Sequence, residues 1–203
     1  MVTPQEIAKL REATGAGMMD AKKALVEAGG DFDKAVKALR ERGLKVAQSK
    51  SARATSQGLV EAYIHAGGTV GSMVEISCET DFVARTDKFK ELAHDIAMQA
   101  AATSPKYLSP ADVPAEVLAQ EKEIILKQLA EQGKTGEMAE KITTGKLEKF
   151  YSEVCLLKQP FIKDDTKTIE QLVNDCIATI GENIKVARFA VFNLSGEPRV
   201  CGS

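Results

Sequence analysis

Few side chains in this sequence are equipped for covalent chemistry. It has two histidines, His65 and His94, four cysteines, Cys78, Cys155, Cys176 and Cys201, and no tryptophan. Neither histidine has further ligands at metal-binding spacing. The cysteines stand far apart without a CxxC pair, which excludes a zinc ribbon and fits a reducing cytosol. Cys78 and Cys176 fall on apolar stripes and read as core residues. Cys201 lies in a polar tail, where an exposed thiol would be available to cross-link two chains. No nucleotide loop is present: Gly145-Lys146 is followed by Leu147, and Gly133-Lys134-Thr135 lacks the required earlier glycine. Gly15 and Gly17 join two helical segments, and Asp20 stands where a dinucleotide loop needs its third glycine. We therefore expect no enzyme, no cofactor and no metal site.

One short segment is chemically unusual. Thr80-Asp81-Phe82 lies between a strand pattern and a helix pattern, so an acid and a large apolar ring sit at the end of a sheet. Two readings stay open on the residues alone. Thr80 or Asp81 caps the following helix while Phe82 packs inward as a staple, or the ring and carboxylate are offered together to a partner.

The elements that must carry this segment are legible from the spacing of apolar residues. Thr3-Pro4-Gln5-Glu6 is a capping box with proline in the first turn, and Ile7 and Leu10 begin a small apolar stripe. A second helix from about Met18 to Ala28 places Met18, Ala21, Leu25 and Ala28 on one face, and Gly29-Gly30 stops it. Asp31 caps a third helix with Phe32, Ala35, Val36 and Leu39 inward, and Gly43 is its expected stop. Residues 44–57 then read as a basic, polar linker or a polar helix. From Gly58 the period becomes two. Leu59–His65 and Val70–Cys78 form a hairpin around Ala66-Gly67-Gly68-Thr69. A helix with Phe89, Leu92, Ala93, Ile96 and Ala100 inward follows.

Prolines 105, 110 and 114 precede a charged helix from about Ala115 to Gln132, and shorter helical pieces run from Glu137 to about Leu157. Thr168 opens a helix with Ile169, Leu172, Val173, Cys176 and Ile180 buried, and Ile184–Phe192 alternates as a strand. The predicted class is α+β: an N-terminal three-helix bundle with its linker over residues 1–54, then a core over 55–203 of a roughly three-stranded antiparallel sheet covered by helices. The 203 residues carry 27 Lys and Arg against 29 Asp and Glu, a net charge of −2. That balance argues against a dedicated nucleic-acid binder. No apolar run reaches the length of a membrane span, and no signal-peptide core is present, so a cytoplasmic location is expected.

Two stretches carry a resemblance. Leu10-Arg11-Glu12-Ala13-Thr14-Gly15-Ala16-Gly17-Met18-Met19-Asp20, continued by Lys22-Lys23-Ala24-Leu25, resembles the N-terminal signature of the bacterial translation elongation factor Ts family. Glu79-Thr80-Asp81-Phe82-Val83-Ala84 resembles the second signature of that family. Glu140-Lys141-Ile142, Gln159-Pro160-Phe161, Gly181-Glu182-Asn183-Ile184 and Arg188-Phe189 extend the likeness over nearly the whole chain.

The resemblance implies a guanine-nucleotide exchange factor acting on elongation factor Tu, GDP-bound and nucleotide-free, during translation elongation. It implies a ubiquitin-associated-like bundle that docks on the GTPase through Met18, Met19, Lys22 and Lys23. It also implies that Thr80, Asp81, Phe82 and Val83 enter the GTPase near its magnesium and phosphate site, with Phe82 as a wedge and Asp81 disturbing the magnesium surroundings. Met18 is expected in the bundle core if the methionine pair is split, with Met19 outward. The chain departs from the family's usual residues at Ala21, at Cys78 and over Ser51 to Gln57, and its pattern supplies strands for one sheet where longer members carry a second core subdomain. Pairing of two chains is one way to supply the missing half. Two other readings remain: a ubiquitin-associated-like adaptor with no effect on nucleotide, and an RNA-associated factor using Lys45, Lys50 and Arg53.

Overall fold

A computed structural model of the chain describes residues 2–194, 196 and 199–201. The N-terminal helices are α1 (Pro4–Thr14), α2 (Met18–Glu27) and α3 (Phe32–Lys50). The capping box at the start of α1 is formed: Glu6 N–H donates to Thr3 Oγ1 at 3.3 Å, and Thr3 N–H donates to the Glu6 carboxylate at 2.7 Å. Ile7, Leu10, Ala21, Ala24, Leu25 and Ala35 make the bundle core, with Ala28, Phe32, Val36 and Leu39 packed against it.

Gly43 does not end α3. The helix continues to Lys50, and Ala35, Gly43 and Ala47 lie along its buried side. A Cβ at Gly43 would sit 3.5 Å from the Ala178 methyl, so the missing side chain here permits close packing rather than a helix stop. Met18 is also not a core residue: it is 51% exposed, because Ala21, Ala24 and Leu25 already fill the inward face of α2.

Strands β1 (Gln57–Ile64) and β2 (Val70–Cys78) form the expected hairpin, closed by His65 N–H donating to the Val70 carbonyl at 2.9 Å. Ser72, Val74, Ile76 and Cys78 are the buried face of β2. Gly58 has φ +153°, and a Cβ there would land on the Ile76 carbonyl, so only glycine fits. One helical turn, α4 (Asp81–Ala84), leads into α5 (Asp87–Thr103). The expected stripe of α5 is buried in full.

Helices α6 (Ala115–Glu131) and α7 (Gly136–Val154) follow, packed through Ile125, Leu129 and Ala139. The shorter pieces expected after Glu137 are one continuous helix. Thr143 and Thr144 satisfy their hydroxyls by donating to the Ala139 and Glu140 carbonyls, so they ride within the helix alongside Gly145.

A small ribbon, β3 (Pro160–Phe161) with β4 (Asp164–Thr168), was not anticipated; its second strand is polar throughout and shows no apolar alternation. Helix α8 (Ile169–Ile180) precedes β5 (Ile184–Asn193), and β6 (Arg199–Cys201) pairs antiparallel with β5. The main sheet has the order β1-β2-β5-β6. The α+β class and the antiparallel sheet are as expected, with the three-residue β6 added at one edge. Burial along β5 alternates but slips by one position at Ala187–Arg188, with Ile184 and Val186 buried before it and Phe189 and Val191 after it. The Cys201 thiol donates to the Lys106 carbonyl and is partly covered.

By density of contacts the chain divides into two compact units: Met1–Glu61, Glu75–His94 and Glu170–Val186 form one, and Ala62–Val74, Asp95–Ile169 and Ala187–Ser203 form the other. No helix among the described residues is long and apolar enough to cross a membrane.

Candidate partner-binding site

Thr80, Asp81, Phe82 and Val83 are brought together on α4, within the first of the two units. Thr80 is the N-cap, with extended backbone angles and its hydroxyl oxygen accepting from Val83 N–H at 3.4 Å. Ala84 N–H closes the turn onto the Thr80 carbonyl at 3.3 Å. Thr86 then restarts the chain as a helix: its hydroxyl donates to the Val83 carbonyl at 2.8 Å and accepts from Phe89 N–H at 3.3 Å.

On this turn Phe82 does not staple inward. Its ring is 78% exposed, which excludes the packing role considered from the residues alone. Asp81 beside it pairs with Arg85 Nη2 at 2.8 Å, an exposed contact one helical turn along that is easily exchanged for another cation.

The underside of the turn is polar and tightly bonded. Glu182 takes both donors of Thr80, the N–H at 3.0 Å and the hydroxyl at 2.7 Å. Asn183, only 2% exposed, donates its backbone N–H to Glu79 Oε1 at 2.6 Å and its side-chain amide to the Arg53 carbonyl at 2.8 Å. Arg53 Nη1 also reaches Glu79 Oε1 at 3.4 Å. The Asn183 N–H, followed by the Arg53 cation, holds the Glu79 carboxyl below its usual value. Lys50 at the end of α3 donates to the Gly181 carbonyl at the end of α8. Cys78 is fully buried next to this corner, and burial followed by the Glu182 charge pushes its thiol up, so it is a structural and not a reactive cysteine.

The sequence reading placed Gly181-Glu182-Asn183 among family-like positions without a role. Glu182 and Asn183 are the residues it missed as supports, since each works through a partner about a hundred positions away in the chain. An acid and an amide directly after a glycine helix stop are the signal that was available.

The second group lies on α2. Met18 and Met19 are 51% and 72% exposed, and Val26 on the same helix is exposed as well. Met19, Lys22, Lys23 and Val26 recur at helical spacing, giving one mixed apolar and cationic face. Lys23 stands 4.0 Å from Glu27, which is also bound by Arg42 at 3.0 Å. No hydrogen bond or ion pair among the described residues joins this face to α4. The two groups present to solvent a projecting ring with a carboxylate, and a methionine face with lysines beside it. Among the described residues no cluster of His, Cys, Asp and Glu is placed to hold a metal ion.

Comparison with known proteins returned consistent matches. The model of the family described as Elongation factor TS matches residues 4–177. The elongation factor Ts of Carboxydothermus hydrogenoformans is 54% identical over 194 residues, covering 96% of this chain and 89% of that protein. Those of Moorella thermoacetica and Maridesulfovibrio salexigens are 52% and 54% identical over 194 residues, each covering 96% of this chain, and 96% and 94% of their own lengths.

Proposed function

Because the chain belongs to the elongation factor Ts family, we propose that it binds elongation factor Tu and promotes release of GDP during translation elongation. In this reading Thr80, Asp81, Phe82 and Val83 enter the GTPase, and Met18, Met19, Lys22 and Lys23 dock the bundle of residues 1–54 on it. The observation that carries the reading is Phe82 itself: a phenyl ring 78% exposed on a turn whose underside is bonded in place.

The energetics suit a factor that works by binding alone. A nanomolar nucleotide is held by about 12 kcal/mol. No bond needs to be made or broken in displacing it. The factor has to bind the nucleotide-free GTPase more tightly than the loaded one, and linkage then makes each ligand weaken the other. Burying one phenyl ring contributes about 1.5–3 kcal/mol, so the wedge needs a broad docking surface beside it. Asp81 contributes a charge: brought near a bound magnesium ion, it competes for the ion's surroundings once Arg85 releases it.

The reading places the chain in the cytoplasm with its partner. Pairing of two chains belongs to the same proposal, supported by the exposed Ile64, Met73 and Phe192 on the sheet strands; a monomer in sedimentation at working concentration removes it. The central test is direct. Labelled GDP bound to elongation factor Tu is mixed with the chain and its loss timed; release no faster than the spontaneous rate overturns the function.

A further inference from the structure

The corner that holds α4 has a consequence for how the ring is presented. Thr80 has one hydroxyl proton and one N–H, and Glu182 accepts both, at 2.7 and 3.0 Å. With its proton committed to the carboxylate, the hydroxyl can only turn a lone pair toward Val83 N–H, which is the capping bond of α4. Glu182 thus sets the rotor that caps the turn. A four-residue helix has no stability of its own, since nucleating one turn is unfavourable. Its shape must be imposed from outside. The imposing groups are themselves fixed: Asn183 is buried on Glu79 and Arg53, and Gly181 is held by Lys50. All of these residues lie in one compact unit with the three-helix bundle.

We propose that Glu182 is a positioning residue for Phe82: by taking both Thr80 donors it holds the α4 turn so that the ring projects before the partner arrives. This deepens the exchange-factor reading and rests on it. Without the carboxylate the turn loosens, and binding must then order it, a cost that falls on the step in which the ring enters its pocket. The maximal rate of nucleotide release therefore suffers more than the docking affinity, which belongs to the α2 face.

The test uses the full chain with GDP-loaded elongation factor Tu and follows labelled GDP release across factor concentrations. Glu182→Ala should lower the maximal release rate several-fold and by no more than the roughly fifty-fold that losing the ring itself would cost, with a smaller change in the half-saturating concentration. Glu182→Gln retains one carbonyl acceptor and should recover part of the rate. In a Phe82→Ala background, Glu182→Ala should cost nothing further, because Glu182 acts through the ring. A Glu182→Ala rate equal to the parent's, or an independent multiplicative loss in that background, overturns the proposal. If Glu182→Ala does not fold, Glu182→Gln, which keeps the shape and one acceptor, is carried through the same comparison with and without Phe82→Ala, and the same outcomes decide. A second readout needs no partner: the Val83 and Ala84 amides should exchange with solvent faster in Glu182→Gln, and unchanged protection overturns the clamp. Should the parent chain fail to accelerate release, the function falls while the amide measurement still decides the clamp.

Discussion

Removing the Phe82 ring separates function from folding more cleanly than any other single change. With 78% of the residue exposed, little of the ring is buried in the chain's own core. Phe82→Ala should therefore change stability by no more than about 0.5 kcal/mol, the usual range for surface substitutions. For a chain of this size that is a melting shift below about 2 °C. In the complex the accounting reverses. A fully buried phenyl ring is worth about 1.5–3 kcal/mol, and about three-quarters of that remains to be gained here. The gain is then about 1.2–2.3 kcal/mol, and if it is realised only as GDP leaves, the release rate falls about eight- to fifty-fold. Stopped-flow measurement of labelled GDP release at saturating factor reads this directly, with a thermal melt as its companion. Equal release by variant and parent refutes the assignment of the ring. A melting temperature lowered by many degrees refutes the premise that the ring is idle in the free chain.

Other perturbations divide the roles further. Lys22→Glu reverses a charge on the α2 face and should slow association with elongation factor Tu while leaving the maximal release rate nearly unchanged, an effect that added salt diminishes; an unaltered association rate removes Lys22 from the docking surface. Asn183→Ala takes away the buried amide that serves the Arg53 and Ser51 carbonyls, so denaturant unfolding should show a loss of about 1–3 kcal/mol. The Glu79 carboxyl, depressed below its ordinary value of 4.5 by Asn183 N–H and Arg53, contributes stability that is present above that pH and is lost as pH falls through the depressed value. In Glu79→Gln the acid side of the stability profile should therefore be flatter below pH 4.5, and an unchanged profile contradicts the corner's electrostatics.

What the sequence disclosed and what it hid divide along contact distance. The capping box of Thr3 and Glu6, the Asp31 cap, the hairpin at residues 65–69 and the buried stripe of α5 were all readable, since each depends on neighbours within a few positions. Gly43 was misread because a glycine's meaning depends on what approaches it, and Ala178 is far away in the chain. Helix α7 was expected only as shorter pieces, since the Thr143 and Thr144 hydroxyls find their acceptors only once the helix exists. Strand β4 was invisible: its pairing with β3 lacks the apolar alternation that marks a strand. At the site, Thr80-Asp81-Phe82 was legible as an oddity, and the resemblance added Val83 and supplied the expected role. The two Glu182 bonds to Thr80 span 102 positions, and no local pattern announces them.

That asymmetry bears on how the proposed exchange factor would act on its partner through binding. A projecting ring is simple to encode, but an unsupported ring on a flexible loop would spend its burial energy on ordering itself. Here the ring sits on a turn too short to hold its own shape, and the fixing comes from a carboxylate and an amide at the start of β5. The same corner reaches α3 through Lys50 and the Arg53 carbonyl. In the proposed reading, the helix that completes the docking bundle and the turn that carries the wedge thus share one set of exposed and part-buried polar bonds. Docking energy gained on α2 can reach Phe82 only if that corner is stiff. Loosening it by Asn183→Ala should consequently raise the factor concentration needed for half-maximal release less than it lowers the rate reached at saturation. If both change by the same factor, the bundle and the wedge bind as independent pieces, and the corner serves stability alone.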